Sequence, residues 1–152
     1  MTGTAAAEVG QELPTRITTN VRDDDIRLVA LILRDSNPIH FDLDAVARAG
    51  LGDRAVNQGG ATMAYIMNHL IEWAGARSAV RRITCSFRGN VVAGDDVAVG
   101  GTVTSVEPTE GGVLAGCDVW ADVVGGRRAI AGTATVFLPA AGNGTGAESP
   151  TT

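Results

Sequence analysis

A chain of 152 residues with 45% apolar content is long enough for one domain with a substantial core. Its net charge of −5 and pI near 4.9 argue against a general role on nucleic acid or anionic membranes, although Arg81, Arg82 and Arg88 form a local basic cluster. No apolar run reaches a membrane span, and the start Met-Thr-Gly-Thr-Ala-Ala-Ala-Glu lacks the parts of a signal peptide, so a cytoplasmic protein is expected.

Residues 1–13 are small and polar and are expected to be flexible, with a folded domain over 14–139 and a disordered tail over 140–152. Thr15 to Val21 is rich in β-branched residues and predicts a first strand. Asp23-Asp24-Asp25 then offers caps and first-turn acids for a helix running to about Leu33. Successive acids converge poorly on a metal, and a helix start accounts for them. After His40, Asp42 to Ala49 predicts a short helix closed by Gly50.

Gly59 to Trp73 carries the strongest helical pattern, with Met63, Ile66, Met67 and Leu70 at i, i+3, i+4, i+7 and Ala74 continuing the stripe. Tyr65 and Ile71 make it apolar on more than one side, as befits a helix lying in the concave face of a sheet. The period then changes. Val80–Phe87, Asp96–Val106, Val113–Val123 and Arg128–Phe137 read as strands. They are divided by Gly89-Asn90, Ala93-Gly94, Glu107-Pro108, Gly111-Gly112 and Gly125-Gly126. Strands in succession with hairpin-like turns predict an antiparallel sheet, hence an α+β protein. Cys85 and Cys117 sit in strand-like sequence without ligand spacing, as free buried thiols do. Asn143-Gly-Thr145 matches a glycosylation sequon by chance composition.

The stretch with the most chemistry is Asp35-Ser-Asn-Pro-Ile-His40. In a helix, five residues would leave the acid and the imidazole roughly 140° apart. In a strand they would face opposite sides. Only a bend brings them together, and Pro38 favours one by fixing its own φ and pushing Asn37 out of the helical region. An acid and a histidine meeting there can share one water for proton transfer. The same residues are also ordinary turn and capping vocabulary, and a histidine after a turn is most often a surface or packed residue. A second chemical element is Asn57-Gln58-Gly59-Gly60. Unpaired N–H groups and the positive dipole end coincide at the start of the long helix, and glycine admits a ligand close to the backbone.

Asp35-Ser-Asn37-Pro-Ile-His40, followed by Phe41-Asp42 and an Ala-rich helix, resembles the Asp-x-Asn-Pro-x-His signature of the MaoC-like, (R)-specific enoyl-CoA hydratases. The likeness extends more loosely from about Thr15 to Pro139. The resemblance implies a hot-dog fold, a long helix wrapped by an antiparallel sheet. It implies hydration of a trans-2-enoyl thioester to the (3R)-3-hydroxyacyl thioester, with Asp35 and His40 as the acid/base pair. Members of that family carry His-Gly at the helix start. Here Asn57 falls on the histidine and Gln58 on the glycine, or Gly59 after a one-residue shift, so Gln58 and Gly59 are the candidate backbone oxyanion donors. This departure, with Glu72-Trp73-Ala74-Gly75 similar to the Asp-Trp-Ala-Gly ending of relatives linked to steroid side-chain breakdown, hints at bulky acyl groups. Phe87-Arg88 through Ala93-Gly94-Asp95 resembles the family's Phe/Arg…Pro-Gly-Asp segment, with Ala93 for the proline.

From these readings the candidate substrate contacts are Asn37, Asn57, Met63, Met67 and Arg88, the acyl chain lying along the long helix between Met63, Met67 and the sheet. Asn37 can equally brace the turn, and Arg88 can equally be a solvated hairpin arginine or a contact to a partner subunit. His69, with no acid partner at useful spacing, is expected to be structural. No metal and no cofactor are expected. CoA or an acyl carrier protein is the handle of the substrate, and a homodimer or higher oligomer covers the sheet edges. Two rivals remain: a hot-dog thioesterase, for which Glu72 stands at the wrong end of the helix, and a non-catalytic subunit of a hetero-oligomeric hydratase.

Overall fold

The computed structural model describes residues 7–140. The expected tail and its sequon fall outside those residues, apart from Ala140. The elements are β1 (Glu12–Thr18), α1 (Asp23–Leu33), a 3-10 turn (Pro38–His40), α2 (Leu43–Arg48), α3 (Gly59–Ala74), β2 (Val80–Phe87), β3 (Val97–Thr109), β4 (Gly112–Val123) and β5 (Arg128–Pro139). The strands form one antiparallel sheet in the order β1-β3-β4-β5-β2, and α3 touches all five. This is a hot-dog fold, as expected.

The inward positions of the sheet are small or β-branched and alternate with period two. Val97, Val99 and Val103 of β3, Ala115, Cys117, Val119 and Ala121 of β4, and Ile130, Ala134 and Val136 of β5 are all buried. They meet Ile66 and Leu70 of α3, both 0% exposed. Each of those two side chains contributes about 1.5–3 kcal/mol by leaving water. The buried stripe of α3 is Thr62, Ile66, His69, Leu70 and Ala74, so Met63 and Met67 are only half-buried, at its margin.

Two boundaries differ from the expectation. The first strand starts at Glu12, not Thr15, and residues 7–13 are not loose. Ala7 and Leu13 are buried, the Gly10 N–H donates to the Val103 carbonyl at 2.8 Å, and the Val103 N–H donates to the Gln11 carbonyl at 2.9 Å. Pro14 is tolerated because β1 is an edge strand whose register shifts between Leu13 and Arg16. Pro108, expected to break a strand, lies inside β3. Among the described residues the pairing of β1 with β3 ends at Thr102 and Val103 still bonds Gly10 and Gln11, so from Thr104 on one side of β3 has no strand partner there and needs no N–H from proline. Among the described residues no helix is long and apolar enough to cross a membrane.

Candidate active site

α1 ends on Arg34, whose φ of 53° puts it in the left-handed region. That reversal lets the Asp35 N–H donate to the Ala30 carbonyl at 2.8 Å, closing the helix in the manner usual for glycine. Asp35 then shapes the next turn. Its Oδ1 accepts from the Asn37 N–H at 3.0 Å, and Asn37 Oδ1 accepts from the Ile39 N–H at 3.4 Å, starting the 3-10 turn. The expected bend therefore forms, with Asn37 as its brace.

The bend turns the acid and the imidazole face to face. Asp35 Oδ2 lies 3.2 Å from His40 Nε2. On the opposite edge of the ring, Nδ1 lies 2.6 Å from the Val56 carbonyl oxygen. A carbonyl can only accept, so Nδ1 carries a hydrogen and Nε2 is the end that gains or loses a proton. The 3.2 Å gap is within reach of a hydrogen bond between Nε2 and Oδ2. His40 is 6% exposed and the Asp35 side chain 34% exposed: one partner is anchored, the other reaches solvent.

The anchor is nonlocal. The Val56 N–H donates to the Ile39 carbonyl at 3.0 Å, so residues 39 and 40 both dock on Val56, which itself bridges to Val92. Arg27 clamps the other side, donating from Nε to Asp23 at 2.6 Å and from a terminal nitrogen to the Phe41 carbonyl at 3.0 Å. The hydrogen bond and charge of Asp23 raise this guanidinium above its ordinary value.

Two residues past Val56 the chain enters α3. Gln58 is its N-cap by backbone geometry but gives no side-chain cap. Its Nε2 instead donates to the Ile26 carbonyl of α1 at 3.0 Å, leaving Oε1 buried without a partner among the described residues. Asn57 is buried. Its N–H donates to the Val91 carbonyl at 2.8 Å and its Nδ2 to Thr62 Oγ1 at 3.0 Å. The Asn57 amide nitrogen thus braces the helix start. Burial raises the Tyr65 hydroxyl above its ordinary range, against a hydrogen bond from Asn57 and with a smaller push from Asp25, so it stays a donor. Among the described residues the Gln58, Gly59, Gly60 and Ala61 N–H groups have no acceptor, and Gly59 and Gly60 are exposed. A side chain at Gly59 would meet Phe87 Cε1 at 2.9 Å, so the half-exposed Phe87 ring lies directly over this helix tip. Arg88, the next residue, is exposed and has no ion pair among the described residues.

Sequence reasoning missed Val56, Gln58's reach to Ile26, and Phe87 over Gly59. All three are long-range contacts that leave no local pattern. It also missed a groove beside Asp35, lined by Arg27, Ala30, Leu31, Arg34, Ser36 and Phe41. His69 is buried at the far end of α3, its Nε2 without a partner among the described residues. Burial pulls this imidazole below its ordinary value, against the raising effect of Glu72 and with a smaller lowering effect of Arg16. Glu72 itself is ion-paired with Arg16. Both cysteines are free; burial raises Cys85 and, with Asp118, pushes Cys117 up to about 11. Among the described residues no group of three or more His, Cys, Asp or Glu could hold a metal ion.

Residues 4–114 match the family model described as a MaoC like domain. Among solved structures the chain is similar to an (R)-hydratase from A. caviae involved in PHA biosynthesis. Identity is 24%, covering 87% of this chain and 97% of that one, with a TM-score of 0.74. It is similar to a MaoC-like dehydratase at 27% identity and a TM-score of 0.80, over 90% of this chain and 43% of that one. It is also similar to a chain of the ChsH1-ChsH2 complex from Mycobacterium tuberculosis, at 22% identity and a TM-score of 0.72, over 86% of this chain and 98% of that one. A search of curated proteins gives no match.

Proposed function

The chain belongs to the MaoC-like domain family, and from that premise we propose that it hydrates a trans-2-enoyl thioester, reversibly, to the (3R)-3-hydroxyacyl thioester. Hydration and dehydration are the reactions of the family's named hydratases and dehydratases. What supports the reading here is one observation: Asp35 Oδ2 lies 3.2 Å from His40 Nε2, with the ring fixed through Nδ1 on the Val56 carbonyl.

The chemistry closes with that pair alone. Water loses a proton to the Asp35 carboxylate as its oxygen attacks Cβ. The electrons of the double bond move onto the thioester oxygen, which the free N–H groups of Gln58 and Gly59 at the α3 tip stabilise. His40 gives its Nε2 proton to Cα, and the proton on Asp35 then returns to Nε2 across the short gap. Water has added as OH on Cβ and H on Cα, and the pair is back in its starting state. No oxidation state changes, so CoA or an acyl carrier protein serves as the substrate's handle and no cofactor is invoked. The working enzyme is a cytoplasmic homodimer or larger assembly.

The test is to incubate the purified chain with trans-2-enoyl-CoA and to determine the configuration of the product. A (3R)-hydroxyacyl product from the chain alone supports the reading. Release of free CoA would make it a thioesterase. Activity appearing only with a second, different chain would make it a non-catalytic subunit.

A further inference from the structure

α1 delivers Asp35, yet its own hold on the protein is slight. Of its side chains only Ile26 and Ala30 are buried, while Leu28, Leu31 and Ile32 stand in solvent. Arg27 reaches the Phe41 carbonyl beside His40. Among the described residues one hydrogen bond joins α1 to α3, from Gln58 Nε2 to the Ile26 carbonyl at 3.0 Å. That bond closes a circuit. From Asp35 the path runs to His40 at 3.2 Å and from the His40 ring to the Val56 carbonyl at 2.6 Å. It continues along the chain to Gln58, across to Ile26, and down α1 back to Asp35. Gln58 is the only side chain in that circuit outside the Asp35/His40 pair.

Folding alone gives no reason for glutamine at this position. Gln58 is the N-cap of α3 by backbone geometry, where Ser, Thr, Asp or Asn would cap with a side-chain oxygen, and Gln58 caps nothing. It is nearly enclosed, at 3% exposure, and its Oε1 has no partner among the described residues, a cost that a methionine of the same length avoids. Ile26 lies inside α1, so its carbonyl has a helix partner without Gln58. What the side chain does achieve is spacing. We propose that Gln58 is a positioning residue, whose side chain sets the distance from the Asp35/His40 pair to the free N–H groups at the α3 tip. The inference rests on the proposed hydratase reading, in which the pair works at Cα and Cβ while the tip holds the thioester oxygen of the same molecule. Those atoms are rigidly spaced in a conjugated enoyl thioester, so the protein has to match them. A misplacement of about 1 Å costs on the order of 10²-fold in rate. The Gln58 side chain touches no reacting atom; it acts through α1.

The test substitutes Gln58→Met, which keeps the length and loses the donor, and Gln58→Asn, which keeps the amide and loses the reach. Both keep the backbone N–H at the α3 tip. Turnover of trans-2-enoyl-CoA, a thermal melt and amide hydrogen exchange by mass spectrometry are measured on the full chain, wild type and both variants. The expected result is a fall in kcat on the order of 10–100-fold, with KM within about twofold of wild type. The Gln58→Met melt stays at or above that of wild type, because the orphaned oxygen has gone. Exchange rises in peptides covering 23–41 and not in β3, β4 or β5. A kcat within about threefold of wild type in Gln58→Met overturns the proposal. So does a rise in KM alone, which would make the side chain a binding contact. A loss of activity that follows a lowered melt, with exchange raised throughout, overturns it too, because the role would then be structural. If the wild type turns over no enoyl-CoA, the hydratase reading fails and the exchange pattern decides. Acceleration confined to 23–41 in Gln58→Met then supports the tie between α1 and the α3 tip, and exchange equal to wild type overturns it.

Discussion

Replacing Asp35 by asparagine probes the reacting pair with almost no change of shape. The amide oxygen can still accept from the Asn37 N–H, so the turn at 35–37 persists. The amide nitrogen can donate to His40 Nε2, while Nδ1 still donates to the Val56 carbonyl. The imidazole is then neutral, bonded at both nitrogens, and has no proton to deliver to Cα. A positioned acid–base group is worth about 10²–10⁴-fold in rate, or about 2.7–5.4 kcal/mol of barrier at 1.36 kcal/mol per decade. Stability should change little: the Asp35 side chain is 34% exposed, and screened pairs of this kind contribute up to about 1 kcal/mol. For a domain of this size that is a melting shift of about 2–4 °C at most. The assay is loss of enoyl-thioester absorbance at saturating substrate, with a thermal melt on the same preparation. A variant within tenfold of wild type, or one that loses activity only because it unfolds, would show that the pair does not carry the proton.

Other expectations follow from the same geometry. His69 is held below its ordinary value by burial, so folding disfavours its protonation; its share of stability is complete above the unfolded value near 6.5 and is lost as pH falls toward the lower, folded value. In His69→Gln the drop in urea midpoint between about pH 7.5 and about pH 5.5 should be smaller than in wild type, and an equal drop refutes the assignment. Cys117, pushed up to about 11, should resist alkylation in the native protein at mildly alkaline pH and react in urea, read by mass spectrometry; rapid native labelling of both thiols would contradict its burial. Arg34→Gly relieves a left-handed residue, which costs roughly 1–2 kcal/mol, and adds backbone freedom to the unfolded chain, worth roughly 0.4–1 kcal/mol. A denaturation midpoint equal to or above wild type is expected, and a loss beyond about 1 kcal/mol would mean the Arg34 side chain holds the fold.

The long elements were legible because each repeats one local pattern. α1 and β2 fall at the expected boundaries, since acids open the first and a β-branched run fills the second. The meeting of Asp35 and His40 was legible for a related reason: five residues and a proline contain the whole bend. What escaped was decided by neighbours. Pro108 reads as a breaker until the side of β3 left without a strand among the described residues is known, and Pro14 until β1 is seen to be an edge. The hydrogen bond from the Asn57 amide nitrogen to Thr62 likewise leaves no mark in the sequence. The stripe on α3 was shifted: Thr62 and His69 are buried while Met63 and Met67 are half-buried, because packing against the sheet, not hydropathy alone, chooses the buried face.

On the proposed hydratase reading, a division of labour between the two side chains accounts for the surroundings of the acid. A proton-transfer pair needs fixed geometry, yet water must enter and product must leave. His40 supplies the first: it is nearly enclosed, and its ring is locked by a backbone carbonyl 16 residues away that no side-chain substitution removes directly. Asp35 supplies the second, because it sits past a helix whose outer face carries Leu28, Leu31 and Ile32 in solvent. Such a helix is poor design for a monomer in water. So is an arginine at a left-handed helix end, where glycine would sit without strain. Both irregularities lie within a few residues of the carboxylate and on the walls or flank of one groove. Sequences agree with local rules wherever only folding is at stake, so two departures concentrated beside Asp35 mark this helix end as a place where something other than folding has shaped the sequence.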